Sequence, residues 1–255
     1  MIRPKKHLGQ HFLRDENIAR KIINSLSRDT VNVVEVGPGT GVLSKYLLEN
    51  PALNPFFFEI DTESVKYLQQ QYPAVTGKLH EQDFLKADLS AIPAPFTVIG
   101  NFPYNISTQI LFRVLEYRNS VPEVVGMFQK EVAERISSPP GSKRYGILSV
   151  LLKAWFDIEY LFTVSEQVFY PPPKVKSAVI RLRRNPVNHL DCDENLFITT
   201  VKAGFNQRRK TLRNALKGLI PAGAEPSSGI TTLLAKRAEQ LDVADFTALA
   251  LFLKG

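Results

Sequence analysis

The stretch Val33-Val34-Glu35-Val36-Gly37-Pro38-Gly39-Thr40-Gly41 limits the possible folds more than any other part of the chain. A β-branched run breaks into glycines at alternate positions, and a helix-like segment, Gly41–Leu48, follows. Such a run reads as a strand buried on both faces, which needs parallel neighbours and helices packed on each side. The glycines permit a tight turn and a close backbone approach to a ligand, and the helix behind them offers unpaired N–H groups. The next 140 or so residues repeat this rhythm. Strands are predicted over 31–36, 55–60, 78–82, 96–100 and 123–128, and helices over 62–71 and 107–115. A helix around 145–155 precedes strand-like segments at 158–164 and 177–182, close enough in sequence to pair antiparallel at the sheet edge. The alternation predicts an α/β fold with a mostly parallel sheet and right-handed crossovers.

Asn185-Pro186-Val187-Asn188 ends the alternation. Helices alone are predicted beyond it, over 195–205, 211–219, 230–238 and 243–253, with a loop rich in Pro, Gly and Ser between the second and third. The expected organisation is an α/β domain over 1–184, carrying a basic N-terminal segment, and a small all-α domain over 185–255. No apolar run approaches the roughly 18 residues of a membrane span. The basic start, Met1 to His7, leads into no apolar stretch of the secretory kind. Cys192 is the single cysteine, which excludes an internal disulfide and any multi-cysteine zinc site. A cytoplasmic protein without a metal or membrane partner is expected.

Four strand ends carry polar chemistry. The first is the glycine turn; the G-x-G-x-G spacing departs from the G-x-G-x-x-G of dinucleotide sites, because residue 42 is Val, and suits a ligand without a pyrophosphate. The second is Glu59-Ile60-Asp61, where an acid can accept both ribose hydroxyls of an adenosine. The third is Gln82-Asp83-Phe84, where Asp83 can accept an adenine amino group and Phe84 can pack on the ring. The fourth is Asn101-Phe102-Pro103-Tyr104. There the Asn oxygen and a main-chain carbonyl can each accept one N–H of a base's exocyclic amine, and the Tyr can stack on that base. Pro103 has no N–H and keeps Phe102 extended. Singly, each acid also reads as a helix cap and the Asn-Pro pair as a turn. Together they line the edge at which open α/β sheets bind ligands.

Charge adds a second theme. From Gln167 to Ala224 there are eleven Lys/Arg and only three Asp/Glu, more than the whole chain's net charge of +7. Arg3, Lys5, Lys6 and Arg14 form another cluster without an acid. Localised positive charge on a near-neutral body predicts a polyanionic partner, with nucleic acid favoured over a merely solvated face. Arg208, Arg209, Lys210 and Arg213 read as phosphate contacts, since no acid lies between Asn195 and Ala224.

Longer matches now join these pieces. Leu8-Gly9-Gln10-His11-Phe12-Leu13, Glu35 to Gly41, Glu59, Gln82-Asp83, Gly100 to Ser107, Phe169-Tyr170-Pro171-Pro172-Pro173-Lys174-Val175 and Phe205 to Asn214 follow one another as in the small-subunit (16S) ribosomal RNA adenine N6,N6-dimethyltransferases, a family the chain resembles over nearly its whole length. The resemblance implies a Rossmann-like class I S-adenosylmethionine-dependent methyltransferase with a helical C-terminal domain that contacts RNA. It implies dimethylation of two adjacent adenines near the 3′ end of 16S rRNA, on an immature small subunit.

The resemblance assigns cofactor contacts to His11, Leu13, Gly37, Gly39, Glu59, Asp83 and Asn101. It assigns the target base to Asn101, Phe102, Pro103, Tyr104 and Phe169, with Tyr104 and Phe169 sandwiching the flipped ring. Lys5 and Lys6 join the Arg208–Arg213 run as RNA contacts. Two residues depart from the pattern: His11 stands where Asn is usual, and Phe102 where Leu is usual, which is expected to add bulk beside the base. Two rivals share the motifs, a large-subunit adenine methylase of the macrolide-resistance type and a non-enzymatic RNA-binding assembly factor. The Phe205–Asn214 and Phe169–Val175 segments speak against the first, and the intact set Glu59, Asp83, Asn101, Tyr104 against the second.

Overall fold

The computed structural model of the chain describes residues 2–255. In chain order the elements are β1 (Phe12–Leu13), α1 (Glu16–Ile23), β2 (Asn32–Val36), α2 (Ser44–Glu49), β3 (Asn54–Glu59), α3 (Thr62–Gln71), β4 (Leu79–Glu81), β5 (Phe96–Asn101), α4 (Ser107–Glu116), β6 (Glu123–Gln129), α5 (Lys130–Ser137), α6 (Ile147–Lys153), β7 (Phe156–Val164), β8 (Phe169–Tyr170), β9 (Ser177–Arg184), α7 (Glu194–Asn206), α8 (Leu212–Ala215), α9 (Ser228–Ala235) and α10 (Val243–Lys254). Seven strands form one sheet in the order β4-β3-β2-β5-β6-β9-β7, and β1 pairs with β8 in a separate ribbon. Strands β4, β3, β2, β5 and β6 run parallel, and β9 runs antiparallel to β6. The chain therefore leaves β2 in one direction towards β3 and β4, and returns on the other side through β5. The crevice between β2 and β5 is the topological switch point, where ligands of such sheets bind.

Burial follows from this placement. β2, β5 and β6 are buried almost throughout, as the apolar runs predict for strands covered on both faces. β7, at the sheet edge, is buried only at its two ends, Phe156 and Val164. Asp15, Asp61 and Asp193 cap α1, α3 and α7 by accepting main-chain N–H groups of the first turn.

Contacts divide the chain differently from the expected 1–184 and 185–255. One compact unit comprises Met1–Ala133 with Ile158–Arg184, the other Glu134–Asp157 with Asn185–Gly255. The second unit thus includes α6, which was expected to belong with the sheet. Its sequence gives the reason: Leu148, Ser149, Val150, Leu151 and Leu152 are all buried, and a helix apolar all round needs cover on every side. Helices α7 and α10 provide part of that cover. The aromatic pairs Tyr145–Phe205, Trp155–Phe197 and Phe205–Phe246 build the unit's core, with ring centroids 6.1 Å apart in each. The helix expected over 211–219 shortens to α8, and Gln207 to Lys210 form a turn before it.

Candidate active site

One pocket gathers residues of all four polar strand ends. Gly37, Gly39, Glu59, Asp83, Asn101, Phe102, Pro103 and Tyr104 line it, together with Leu8 to Phe12 of the N-terminal segment. The local reasons differ from residue to residue. Gly37 and Gly39 adopt positive φ, and a Cβ on Gly39 would lie 2.8 Å from the Phe12 ring, so the turn has room for nothing larger. Glu59 is 4% exposed. Its Oε2 accepts the Gly39 N–H at 3.0 Å and its Oε1 accepts those of Ile60 and Asp61 at 2.9 Å, which locks the glycine turn to the end of β3. Burial raises its pKa above the ordinary range, against the pull of those three N–H groups. Asp83 accepts the Leu85 N–H at 3.0 Å, and Leu85 lines the pocket. Phe84, expected on the ligand ring, is buried instead and packs edge-on against Phe58.

The N-terminal segment is strapped across this edge. Lys5 Nζ lies 2.5 Å from Asp61 Oδ1 and 3.2 Å from Glu63, and Gln10 Nε2 donates to Asp61 Oδ2 at 3.2 Å. Burial pushes Asp61 up, but the bonds from Lys5, Gln10 and Ser64 outweigh it and hold the carboxyl below its usual range. Asn105 Nδ2 donates to the His7 carbonyl, and Asn101 Nδ2 to the His11 carbonyl at 2.8 Å. His11 Nδ1 sits 2.7 Å from the Pro171 carbonyl, which only accepts, so this nitrogen carries the proton. The His11 ring stacks on Tyr104, centroids 5.2 Å apart, and the Tyr104 hydroxyl meets Ser177 Oγ at 2.6 Å. Burial raises the Tyr104 pKa.

Three expectations need correction. The Phe102 ring adds no bulk to the base site: it is 1% exposed and packs on Phe128. Gly100 and Gly126, cross-strand partners on β5 and β6, leave the space it fills, since a Cβ at Gly126 would come within 2.3 Å of it. Phe169 does not face Tyr104 here. It is 3% exposed within the main core cluster, opposite Leu13 in the β1–β8 ribbon, and the ring stacked on Tyr104 is that of His11. Leu13 belongs to the same core, so its side chain is not part of the pocket lining.

Residues 1–254 match the model of the ribosomal RNA adenine dimethylases. The chain belongs to that family. The ribosomal RNA small subunit methyltransferase A of Cytophaga hutchinsonii is 55% identical over 100% of this chain and 98% of its own length. The one of Parabacteroides distasonis is 53% identical over 98% and 94%. Among solved structures, a dimethyladenosine transferase from Plasmodium falciparum superposes with a TM-score of 0.77 at 24% identity, covering 95% of this chain and 96% of its own. The 23S rRNA methyltransferase ErmE superposes with a TM-score of 0.69 at 25% identity, covering 94% and 99%.

An adenine dimethylase needs S-adenosylmethionine, and the pocket's donor set fits it. Glu59 and Asp83 bring carboxylates to the pocket wall, Asp83 with a second oxygen beyond the one bonded to Leu85, and the turn at Gly37 and Gly39 keeps side chains out of the way. Among the described residues no cluster of His, Cys, Asp or Glu could hold a metal, and no helix is long and apolar enough to cross a membrane.

The basic residues of this dimethylase fall into two groups. Lys5, expected on RNA, is committed to Asp61 and Glu63, whereas Lys6 is exposed. Arg208 Nε lies 2.6 Å from Glu239, and its Nη2 donates to the Lys143 carbonyl at 2.5 Å. Its partner stands 31 residues away, beyond the reach of a search for local acids. Arg209, Lys210 and Arg213 are exposed, and among the described residues no carboxylate pairs with them.

Proposed function

We propose that the chain transfers methyl groups to N6 of two adjacent adenines near the 3′ end of small-subunit ribosomal RNA, dimethylating each, on an immature small subunit in the cytoplasm. Identity of 50–55% to proteins named small subunit methyltransferase A supports the small-subunit substrate over the large-subunit one, to which the likeness is 25%.

The observation that carries the chemistry is the state of Asn101. Its Nδ2 is already committed to the His11 carbonyl, which orients the amide and leaves Oδ1 as an acceptor in the pocket wall. In adenine the N6 lone pair is delocalised into the ring and is a poor nucleophile. Oδ1 and a main-chain carbonyl of the Asn101–Pro103 segment, each accepting one N–H, favour a pyramidal nitrogen with its lone pair directed outward. S-adenosylmethionine, when bound, supplies a methyl group activated by its positive sulfur. The protein's part is therefore alignment and electrostatics, which can lower a barrier by roughly 7–11 kcal/mol. Tyr104, held by Ser177 and backed by His11 on one face, offers its other face to the flipped base. Arg209, Lys210, Arg213 and Lys6 take phosphates and hold the RNA without reading it.

The test is to incubate the protein with labelled S-adenosylmethionine and unmethylated small subunits, then map the modified nucleotides. Two neighbouring dimethyladenines near the 3′ end are expected. Label in large-subunit RNA alone, or none in either, overturns the reading.

A further inference from the structure

Arg14 and Tyr170 make a small exposed platform beside the pocket that the reaction as described does not use. The Arg14 guanidinium lies over the Tyr170 ring, 4.0 Å from its centroid. Both residues face solvent, and the tyrosine is 42% exposed, one of few large side chains so placed. Among the described residues no carboxylate pairs with Arg14; the neighbouring Asp15 is occupied in capping α1. An aromatic ring stacked with an unpaired guanidinium at the surface is the combination that receives a nucleobase and its phosphate.

Its position is fixed by the ribbon. Tyr170 is the cross-strand partner of Phe12, which lines the pocket, and Pro171 next to it accepts the bond from His11. Antiparallel partners stand about 5 Å apart, so the platform lies one strand spacing from the pocket rim, within reach of a single nucleotide step. The following residues, Lys174 and Lys176, are also exposed, which continues the positive surface away from the pocket.

We infer that Arg14 and Tyr170 hold the nucleotide adjacent to the target adenine, its base stacked on the outer face of the Arg14–Tyr170 pair and its phosphate on the guanidinium edge. This rests on the reading of the pocket as a base site. It gives two neighbouring adenines two different seats: one is extruded for reaction while its neighbour is parked, and exchange of the two presents the second. Arg14 and Tyr170 are thus positioning residues, remote from the reacting nitrogen.

The experiment uses the full chain with unmethylated small subunits and labelled S-adenosylmethionine. Tyr170→Ala and Arg14→Ala are each expected to raise KM for the subunit about tenfold, with cofactor affinity and melting temperature unchanged. Both should shift the products towards subunits carrying one modified adenine instead of two. Tyr170→Phe, which keeps the ring, should behave as the wild type. Wild-type KM and product pattern in both alanine variants overturn the proposal, and so does an equal loss in Tyr170→Phe and Tyr170→Ala. Asn101→Ala is run alongside. If it is inactive while Tyr170→Ala matches the wild type, only the platform fails; if it retains full turnover, the base-site reading fails and the platform with it.

Discussion

The strand-end pocket and the basic turn before α8 treat polar groups in opposite ways. In the pocket, Glu59 accepts three main-chain N–H groups, Asn101 has its amide fixed by the His11 carbonyl, and Asp61 is held by Lys5 and Gln10. At the turn and in α8, Arg209, Lys210 and Arg213 stand in solvent, and among the described residues no carboxylate pairs with them. A reacting base must be aligned to a fraction of an ångström, so its partners are immobilised beforehand. A phosphate backbone needs only charge at the surface, and immobilising that charge with acids would cancel it. The contrast predicts that the two regions fail separately, one in chemistry and one in affinity.

The largest effect is expected at Asn101. Asn101→Ala should reduce methyl transfer about 100- to 1000-fold, the loss typical of one preorganised polar contact to the reacting group, with subunit binding retained. Turnover assays beside a subunit-binding isotherm make the comparison, and a parallel loss of binding would break the separation.

Glu59→Gln comes next. It replaces one acceptor oxygen by an amino group that clashes with the surrounding N–H donors, and should weaken S-adenosylmethionine binding about 10- to 100-fold. Titration calorimetry reads it, and unchanged affinity would remove Glu59 from the site.

On the basic side, the triple change Arg209→Ala, Lys210→Ala, Arg213→Ala should weaken subunit binding and leave cofactor affinity alone. The plot of log affinity against log salt should flatten by about 0.7–0.9 per lost phosphate contact. Arg208→Ala sharpens the contrast, because its guanidinium serves Glu239 and the Lys143 carbonyl. It should lower the melting temperature more than the salt slope.

The most specific effect concerns pH. Burial pushes the Glu35 carboxyl up to about 8, against the Ser44 hydroxyl bonded to it at 2.7 Å and with the Glu59 charge adding to the rise. Below its ordinary value of 4.5, Glu35 is protonated both folded and unfolded and contributes no slope. Between there and pH 8 the unfolded chain releases a proton that the fold keeps, so stability falls as pH rises, by at most ~1.4 kcal/mol per unit. Glu35→Gln should shallow that fall in thermal melts between pH 5 and 8 without removing it, because Glu59 is shifted in the same direction. An unaltered slope would mean that Glu35 is ionised in the fold.

Much of the scaffold was legible because a strand buried on both faces leaves a continuous apolar run; α3 spans the 62–71 predicted for it, and β7 and β9 are neighbours at the sheet edge as their short link predicts, whereas the antiparallel seating of β9 against β6 joins segments too far apart in sequence to be read from it. The polar strand ends were legible for the same reason, since each stands where such a run stops. What stayed hidden depends on distant residues. Lys5 reads as an RNA contact until Asp61 is found beside it. Phe102 looks too large for its site until Gly126 is seen directly across from Gly100. The two-residue ribbon of β1 and β8 is too short to leave a pattern, yet it decides that Phe169 goes to the core and Tyr170 to the surface.

The discontinuity of the second compact unit has a consequence in time. Helix α6 emerges from the ribosome well before its partner α7, about forty residues later, which at 5–20 residues per second is a wait of roughly 2–8 s. Throughout that interval a segment whose side chains are mostly destined for burial lacks the cover that α7 and α10 give it. The nascent chain of this dimethylase is therefore most open to aggregation, and to chaperones, between the synthesis of Lys153 and that of Asn206.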